Sequence, residues 1–308
     1  MNILFFGSDN FAIPSLRTLH ESSHKILAVV TPPDKPAGRG QKLTGCPVAA
    51  AAHELCLKLL QPPKIQGEEV FHQLLALKPD CLVVVAYGKF LPSRLMNAVS
   101  HGAVNLHPSL LPKYRGASPI QTAILNGEAI TGVTTMTLTE EMDAGAIYLQ
   151  ATTAIDSIET ALQLEMRLAE LGGKLLAQTL DDLEKGTLKA KPQNPNDMVM
   201  TKKLVKEDGR LKWEKPASKL FDQIRALDPW PGTFCYVGDK RLKIWEAAVL
   251  EETTTAKPGT VVGNKQGLTV ACGQGRLCLL EVQLEGKKRL SVTEFLKGFP
   301  VPIGEVLK

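Results

Sequence analysis

Two polar side chains stand two positions apart in Asn105-Leu106-His107, at the end of a short apolar run from Ala103 and at the head of the stretch HPSLLPKYRG. In an extended segment, positions i and i+2 share a face, so both side chains can reach one reacting atom. An asparagine amide donates to an oxygen that turns negative in a tetrahedral intermediate, and a histidine takes or delivers a proton near neutral pH. A carboxylate completes such a set by orienting or charging the imidazole. Asp143, in Glu140-Glu141-Met142-Asp143-Ala144-Gly145, is the best placed by sequence. The combination suits acyl transfer to an amine better than hydrolysis through a covalent intermediate. No serine sits in GxSxG, and Ser109 reads as a turn residue rather than a nucleophile.

Such a pair needs a strand that stops at the carboxyl edge of an α/β sheet, where polar groups line a cleft. Residues 81–86, nearly all β-branched or apolar, suit a central parallel strand with both faces covered. Residues 2–7 and 25–31 read as further strands, with helical spacing over 11–19 between them, which gives a Rossmann-like opening. Gly7-Ser8-Asp9-Asn10-Phe11 holds a single glycine where a dinucleotide fingerprint needs three. A dinucleotide is therefore not supported. Residues 47–60 and 68–77 have helical spacing, 32–43 reads as a loop, and 119–125 as a short helix. Strand-like segments at 131–138 and 146–151 flank the Asp143 turn, and 157–183 reads as a long helix interrupted at Gly172-Gly173.

Periodicity fails from 185 to 208, where Pro192, Asn194, Pro195 and Asn196 mark a crossing that ends in Lys202, Lys203 and Lys206. A helical pattern over 217–227 and short strands at 233–237, 242–249, 259–262, 268–271 and 277–284 follow. Short strands punctuated by glycine suit a small, OB-like β-barrel of about 90 residues. The expected architecture is a Rossmann-like, open, parallel-rich sheet over 1–189, a basic linker over 190–208, and the β-barrel over 209–308.

The 308-residue composition, 44% hydrophobic and 22% charged, is that of a soluble globular protein. Cysteines 46, 56, 81, 235, 272 and 278 form no CxxC pair and read as buried free thiols in a reducing compartment. All six histidines lie at or before position 107 without HExxH spacing, so no metal is expected. No apolar run approaches the roughly 18 to 20 residues of a membrane span, and no charged leader precedes the first apolar segment. The expected location is the cytoplasm. Residues 201–308 carry 19 Lys or Arg against 13 Asp or Glu, a net of +6, whereas residues 1–200 are net −2. A basic C-terminal third suits a polyanion, and is also common on plain soluble domains.

NxHxSLLPxxRG, present from Asn105 to Gly116, resembles the signature of the folate-dependent formyltransferases, and Asp143 followed by Gly145 is similar to that family's DxG element. PPDKPAGRGQKL at 32–43, VVVAYGKFLP at 83–92 and DPWPGTF at 228–234 resemble the members whose acceptor is methionyl initiator tRNA. The resemblance implies that Asn105, His107 and Asp143 are catalytic and that 10-formyltetrahydrofolate is the formyl donor, with no metal. It implies folate contacts at Val85, Tyr87, Phe90 and Leu91 and at Ser109, Leu110, Leu111 and Pro112. From the residues alone, Phe90 and Leu91 read more readily as cover for the sheet edge. It further implies tRNA contacts at Lys35, Arg39 and Lys42, in a loop that also reads as a solvated turn, and at Lys202, Lys203 and Lys206, in a monomer. Formyl transfer to a small amine, or RNA binding without catalysis, are the competing readings.

Overall fold

The computed structural model describes residues 1–37, 42–263 and 267–308. Its contacts resolve two units. The first comprises Met1–Gly116, Ile130–Ala154 and Glu165–Met200; the second comprises Ala117–Ala129, Ile155–Leu164 and Thr201–Lys308.

The β-branched and apolar runs of the first unit form one seven-stranded sheet. Its strands are β1 (Asn2–Gly7), β2 (Lys25–Val30), β3 (Leu59–Leu60), β4 (Cys81–Val85), β5 (Ala103–His107), β6 (Ile130–Thr137) and β7 (Ile147–Ala154). Their spatial order is β7-β6-β5-β4-β1-β2-β3, with β1 to β5 parallel and β6 and β7 antiparallel. The chain winds outward from β1 through β2 and β3 on one side and through β4 and β5 on the other. The strand order therefore reverses between β1 and β4, the place where open α/β sheets leave a crevice at their carboxyl ends.

Helices α1 (Ile13–His20), α2 (Pro47–Glu54), α3 (Glu68–Leu75), α4 (Ser93–Met96), α5 (Pro119–Asn126) and α6 (Ala161–Glu184) come between and after the strands. Leu4, Phe6, Ala28, Val30, Leu82, Val84 and Ala103 form one face of the sheet and pack with Leu74 of α3 and Leu95 and Met96 of α4. The alternate residue Leu106 belongs to the other face, which α6 covers. A Cβ at Gly172 would lie 2.6 Å from Leu106 Cδ2, and one at Gly173 would lie 3.2 Å from the Pro14 carbonyl oxygen. The expected interruption at these glycines is absent, and α6 is continuous. Close packing onto β5 and α1 is what the glycines allow.

Two other expectations need correction. The helix read over 47–60 stops at Glu54; Cys56 adopts φ +54°, and Leu59–Leu60 instead becomes an edge strand paired with Val29 and Val30. Within the expected loop at 32–43, Lys35–Ala37 pairs antiparallel with Lys42–Thr44, with Pro36 opposite Leu43. Proline is tolerated there because a two-stranded ribbon has a free edge for its missing N–H. Residues 38–41, including Arg39, lie outside the described residues.

In the second unit β8 (Thr233–Val237), β9 (Lys240–Leu250), β10 (Val261–Gly263), β11 (Leu268–Ala271) and β12 (Arg276–Leu284) form an antiparallel sheet in the order β8-β9-β12-β11-β10. It curls around Leu220 and Ile224 of α7 (Ala217–Leu227) and Phe295 of α8 (Val292–Gly298). Residues 304–308 hydrogen-bond to both edge segments of the curl. The Lys308 N–H donates to Tyr236 O at 2.9 Å, and the Gly304 N–H donates to Val261 O at 2.8 Å. These bonds occupy edge groups that would otherwise be open to pairing with another strand. The same unit takes in α5: Lys219 Nζ of α7 donates to Asn126 O at 3.1 Å, and Arg225 NH1 donates to the carbonyls of Asp156 and Glu159.

Among the described residues no helix is long and apolar enough to cross a membrane. The cysteines are free thiols. Cys81, Cys235, Cys272 and Cys278 are buried as expected, whereas Cys56 is exposed. Burial pushes the Cys81 and Cys235 thiols up to about 12, which keeps them protonated and inert.

Candidate active site

Strand β5 lies between β4 and β6, with Asn105 opposite Val84 and Met136, and His107 opposite Thr134. Asn105 and His107 share the face of Ala103, as their spacing requires. Both are buried, Asn105 at 9% exposure and His107 at 5%. Among the described residues the Asn105 amide has no hydrogen-bond partner. His107 Nε2 lies 3.0 Å from Tyr114 O. A carbonyl only accepts, so Nε2 carries the hydrogen and Nδ1 is the atom free to take up a proton. Asp143 Oδ2 lies 3.6 Å from that Nδ1.

Asp143 is held in the left-handed region at φ +51°. Its Oδ2 accepts from the Gly116 N–H at 2.8 Å. Gly145 follows because a Cβ there would lie 1.7 Å from Thr137 O. Gln193, from the stretch where periodicity fails, reaches this turn. Its Nε2 donates to Asp143 O at 2.7 Å and Gly145 O at 2.8 Å, and its Oε1 accepts from Arg115 Nε at 2.9 Å. Only this orientation of the amide satisfies two carbonyls and a guanidinium together. Sequence reading missed Gln193 because a lone glutamine in an aperiodic segment carries no local signal.

The motif residues 109–112 are fixed from below. Ser109 Oγ donates to Lys113 O at 2.6 Å, as a turn residue does, while Thr134 Oγ1 donates to Ser109 O at 2.6 Å. Gln150 Nε2 donates to Leu111 O at 2.9 Å. Leu110 and Pro112 are half-buried, and Leu111 is buried.

The model of the "Formyl transferase" family matches residues 1–180, and that of the "Formyl transferase, C-terminal domain" matches residues 203–300. A methionyl-tRNA formyltransferase of Pelotomaculum thermopropionicum is 44% identical over 100% of this chain and 98% of its own length. The chain belongs to the formyl transferase family. A second relative, the methionyl-tRNA formyltransferase of Caldanaerobacter subterraneus subsp. tengcongensis, is 41% identical over 100% of both chains. Among solved structures, HypX from Aquifex aeolicus in complex with tetrahydrofolic acid is similar with a TM-score of 0.65 at 20% identity, over 98% of this chain and 48% of that one. The chain thus spans about half the length of that HypX structure. An N-formyltransferase from Helicobacter canadensis, in complex with folinic acid and dTDP-3-aminofucose, is similar with a TM-score of 0.66 at 17% identity, over 90% of this chain and 98% of that one. These structures share the fold.

For this member of the formyl transferase family, the segment after β4 splits into core and surface. Val85 and Leu91 are buried. Tyr87 packs edge-on against Phe6 at 5.5 Å between centroids, and burial pushes its hydroxyl up to about 12. Phe90 is 51% exposed. The backbone kinks at Ala86 (φ +45°) and Gly88 (φ +72°), and Ser8 Oγ, at the end of β1, donates to Ala86 O at 2.8 Å. The loops following β1 and β4 therefore meet at the reversal point of the sheet. Lys35, Lys203 and Lys206 are exposed, and Lys202 is exposed and paired with Asp208. That hydrogen bond from Lys202 holds the Asp208 carboxyl below the usual range. Lys42 opens the short strand Lys42–Thr44.

Proposed function

We propose that this chain transfers the formyl group of 10-formyltetrahydrofolate to the α-amino group of methionyl initiator tRNA, with Asn105, His107 and Asp143 as the reacting side chains. The end-to-end likeness to methionyl-tRNA formyltransferases supports the acceptor. The observation that carries the chemistry is an Asn105 amide with no hydrogen-bond partner among the described residues, on the same strand face as His107, whose Nδ1 lies 3.6 Å from the Asp143 carboxylate. The Asn105 amide donates to the formyl oxygen as it becomes negative, when the amine nitrogen bonds to the formyl carbon. His107 Nδ1 takes the proton that the nitrogen then sheds. The resulting imidazolium faces Asp143, and its proton returns to N10 as the bond between that nitrogen and the formyl carbon breaks. Alpha-amino groups titrate near 7.7 to 8.0 in simple models, so about neutral pH little deprotonation work is needed before attack.

Val85, Tyr87, Phe90 and Leu91, with Ser109 to Pro112, would form the folate side. Phe90 offers its ring, and Tyr87 and Leu91 brace the loop from the core. The 32–43 segment, through Lys35, Arg39 and Lys42, would sit against the acceptor stem. Lys202, Lys203 and Lys206 would track the phosphate backbone. In this reading residues 1–189 hold the chemistry, 190–208 a basic connection and 209–308 the RNA-binding part of a cytoplasmic monomer.

The test is formyl transfer from 10-formyltetrahydrofolate to purified methionyl initiator tRNA, with uncharged tRNA, methionyl elongator tRNA and free methionine as controls. Transfer confined to the charged initiator is the expected result. Transfer to none of them by folded protein would overturn the acceptor and direct attention to small amines.

A further inference from the structure

We propose that Gln193 is a positioning residue for this reaction, locking the Asp143 turn to the Arg115–Gly116 segment so that Asp143 meets His107 as the imidazole takes its proton. The inference rests on the proposed roles of His107 and Asp143 and adds a residue from outside both sequence motifs. Asp143 has two anchors, its own turn and the Gly116 N–H at 2.8 Å. Gln193 joins them with one carboxamide. Its two N–H groups hold the carbonyls on either side of Ala144, and its oxygen holds Arg115, the neighbour of Gly116. A non-glycine residue at φ +51° is strained, and it persists where the surroundings over-determine it.

The strap that carries Gln193 does not depend on it. Lys191 and Ile147 exchange two backbone hydrogen bonds of 2.8 Å, the Val199 N–H donates to Pro112 O at 3.2 Å, and the Arg115 N–H donates to Val199 O at 2.9 Å. Replacing the Gln193 side chain therefore leaves the strap attached at both ends. All three Gln193 hydrogen bonds instead go to groups around Asp143. Arg115 keeps further contacts, to Glu141 Oε1 at 3.5 Å and Met198 Sδ at 3.4 Å. The turn carbonyls of Asp143 and Gly145 are where the side chain's loss is felt.

The experiment compares full-length wild type with Gln193→Met, Gln193→Glu, Asp143→Asn and the Gln193→Met/Asp143→Asn double variant, using 10-formyltetrahydrofolate and methionyl initiator tRNA. Hydrogen exchange is followed over residues 139–146. Gln193→Met is expected to lower kcat about tenfold or more, from lost hydrogen bonds at a half-buried turn. KM for both substrates stays within about twofold. Gln193→Glu keeps an acceptor for Arg115 but loses both donors, so it gives no rescue. In the double variant the Gln193 change adds little to the loss from Asp143→Asn, as expected for residues acting through one another. Exchange over 139–146 accelerates while the rest of the protein is unchanged. Unchanged kcat, a loss carried by KM, multiplicative losses in the double variant, or unchanged exchange in the turn would each overturn the proposal. Wild type that leaves methionyl-tRNA unmodified would instead remove the reaction assignment, and the exchange measurement would still decide whether Gln193 holds the turn.

Discussion

The Asn105 amide makes no hydrogen bond among the described residues, so folding alone gives no reason for an asparagine there. The proposed oxyanion role gives one. Replacing Asn105 with alanine should lower single-turnover formyl transfer about a hundredfold or more, the scale of losing one oxyanion donor, while both substrates still bind. The thermal midpoint, measured alongside, should fall little, because no hydrogen bond is lost; near-normal turnover would remove the role. His24 carries a different single-residue prediction. Its ring is buried, facing the Met1 amine at 3.2 Å, Asp181 at 3.2 Å and Glu184 at 3.7 Å. Burial, aided by the amine and opposed by the two carboxylates, lowers its pKa from 6.5. With the folded value depressed, the unfolded chain binds the proton first as pH falls. His24 stability is therefore complete above 6.5 and is lost as pH falls through the lower, folded value. The lowered carboxylates, Glu68, Glu184 and Asp208, act below their ordinary values of 4.5, 4.5 and 3.8, so the two windows separate. Thermal midpoints taken between about pH 7.5 and pH 5 should decline for wild type and decline less for His24→Gln; equal slopes would contradict the assignment.

At the scale of elements, the turn between β6 and β7 is the most constrained piece of the site. A methyl group at Gly145 would have to occupy the space of Thr137 O, 1.7 Å away, and a backbone oxygen cannot rotate aside. Gly145→Ala should therefore displace the turn and reduce transfer at least as far as Asp143→Asn does, as paired assays would show. The sheet itself was legible because its strands announce themselves in runs of β-branched residues. Residues 2–7, 233–237 and 268–271 were read with the bounds that the structure gives. Asn105 and His107 were legible for the same reason, since period-two geometry is local. What was not legible was tertiary in origin. Gly172-Gly173 looks like a break until Leu106 and Pro14 are placed against it, and Leu59-Leu60 continues a helical spacing until β2 offers it an edge. Gln193 has meaning only once residues 143, 145 and 115, far away in sequence, converge on it.

At the scale of the whole molecule, charge divides along the chain, with a net of +6 over 201–308 and −2 over 1–200. If the exposed lysines of the connection neutralise phosphates, tRNA affinity should fall steeply with salt. Removing Lys203 and Lys206 together should flatten the slope of log affinity against log salt by roughly two. Filter binding across a potassium chloride series measures this, and a salt-independent affinity would contradict the electrostatic role. The second unit is also drawn from three separate lengths of chain, with α5 and residues 155–164 supplied from within the span of the first. That threading limits how the gene can be recombined. A cassette cut at residue 200 and grafted onto another protein would leave behind the Asn126, Asp156 and Glu159 carbonyls that Lys219 and Arg225 hold. Homologous exchange should therefore succeed at whole-chain length and fail at the junction that a linear map of the sequence recommends.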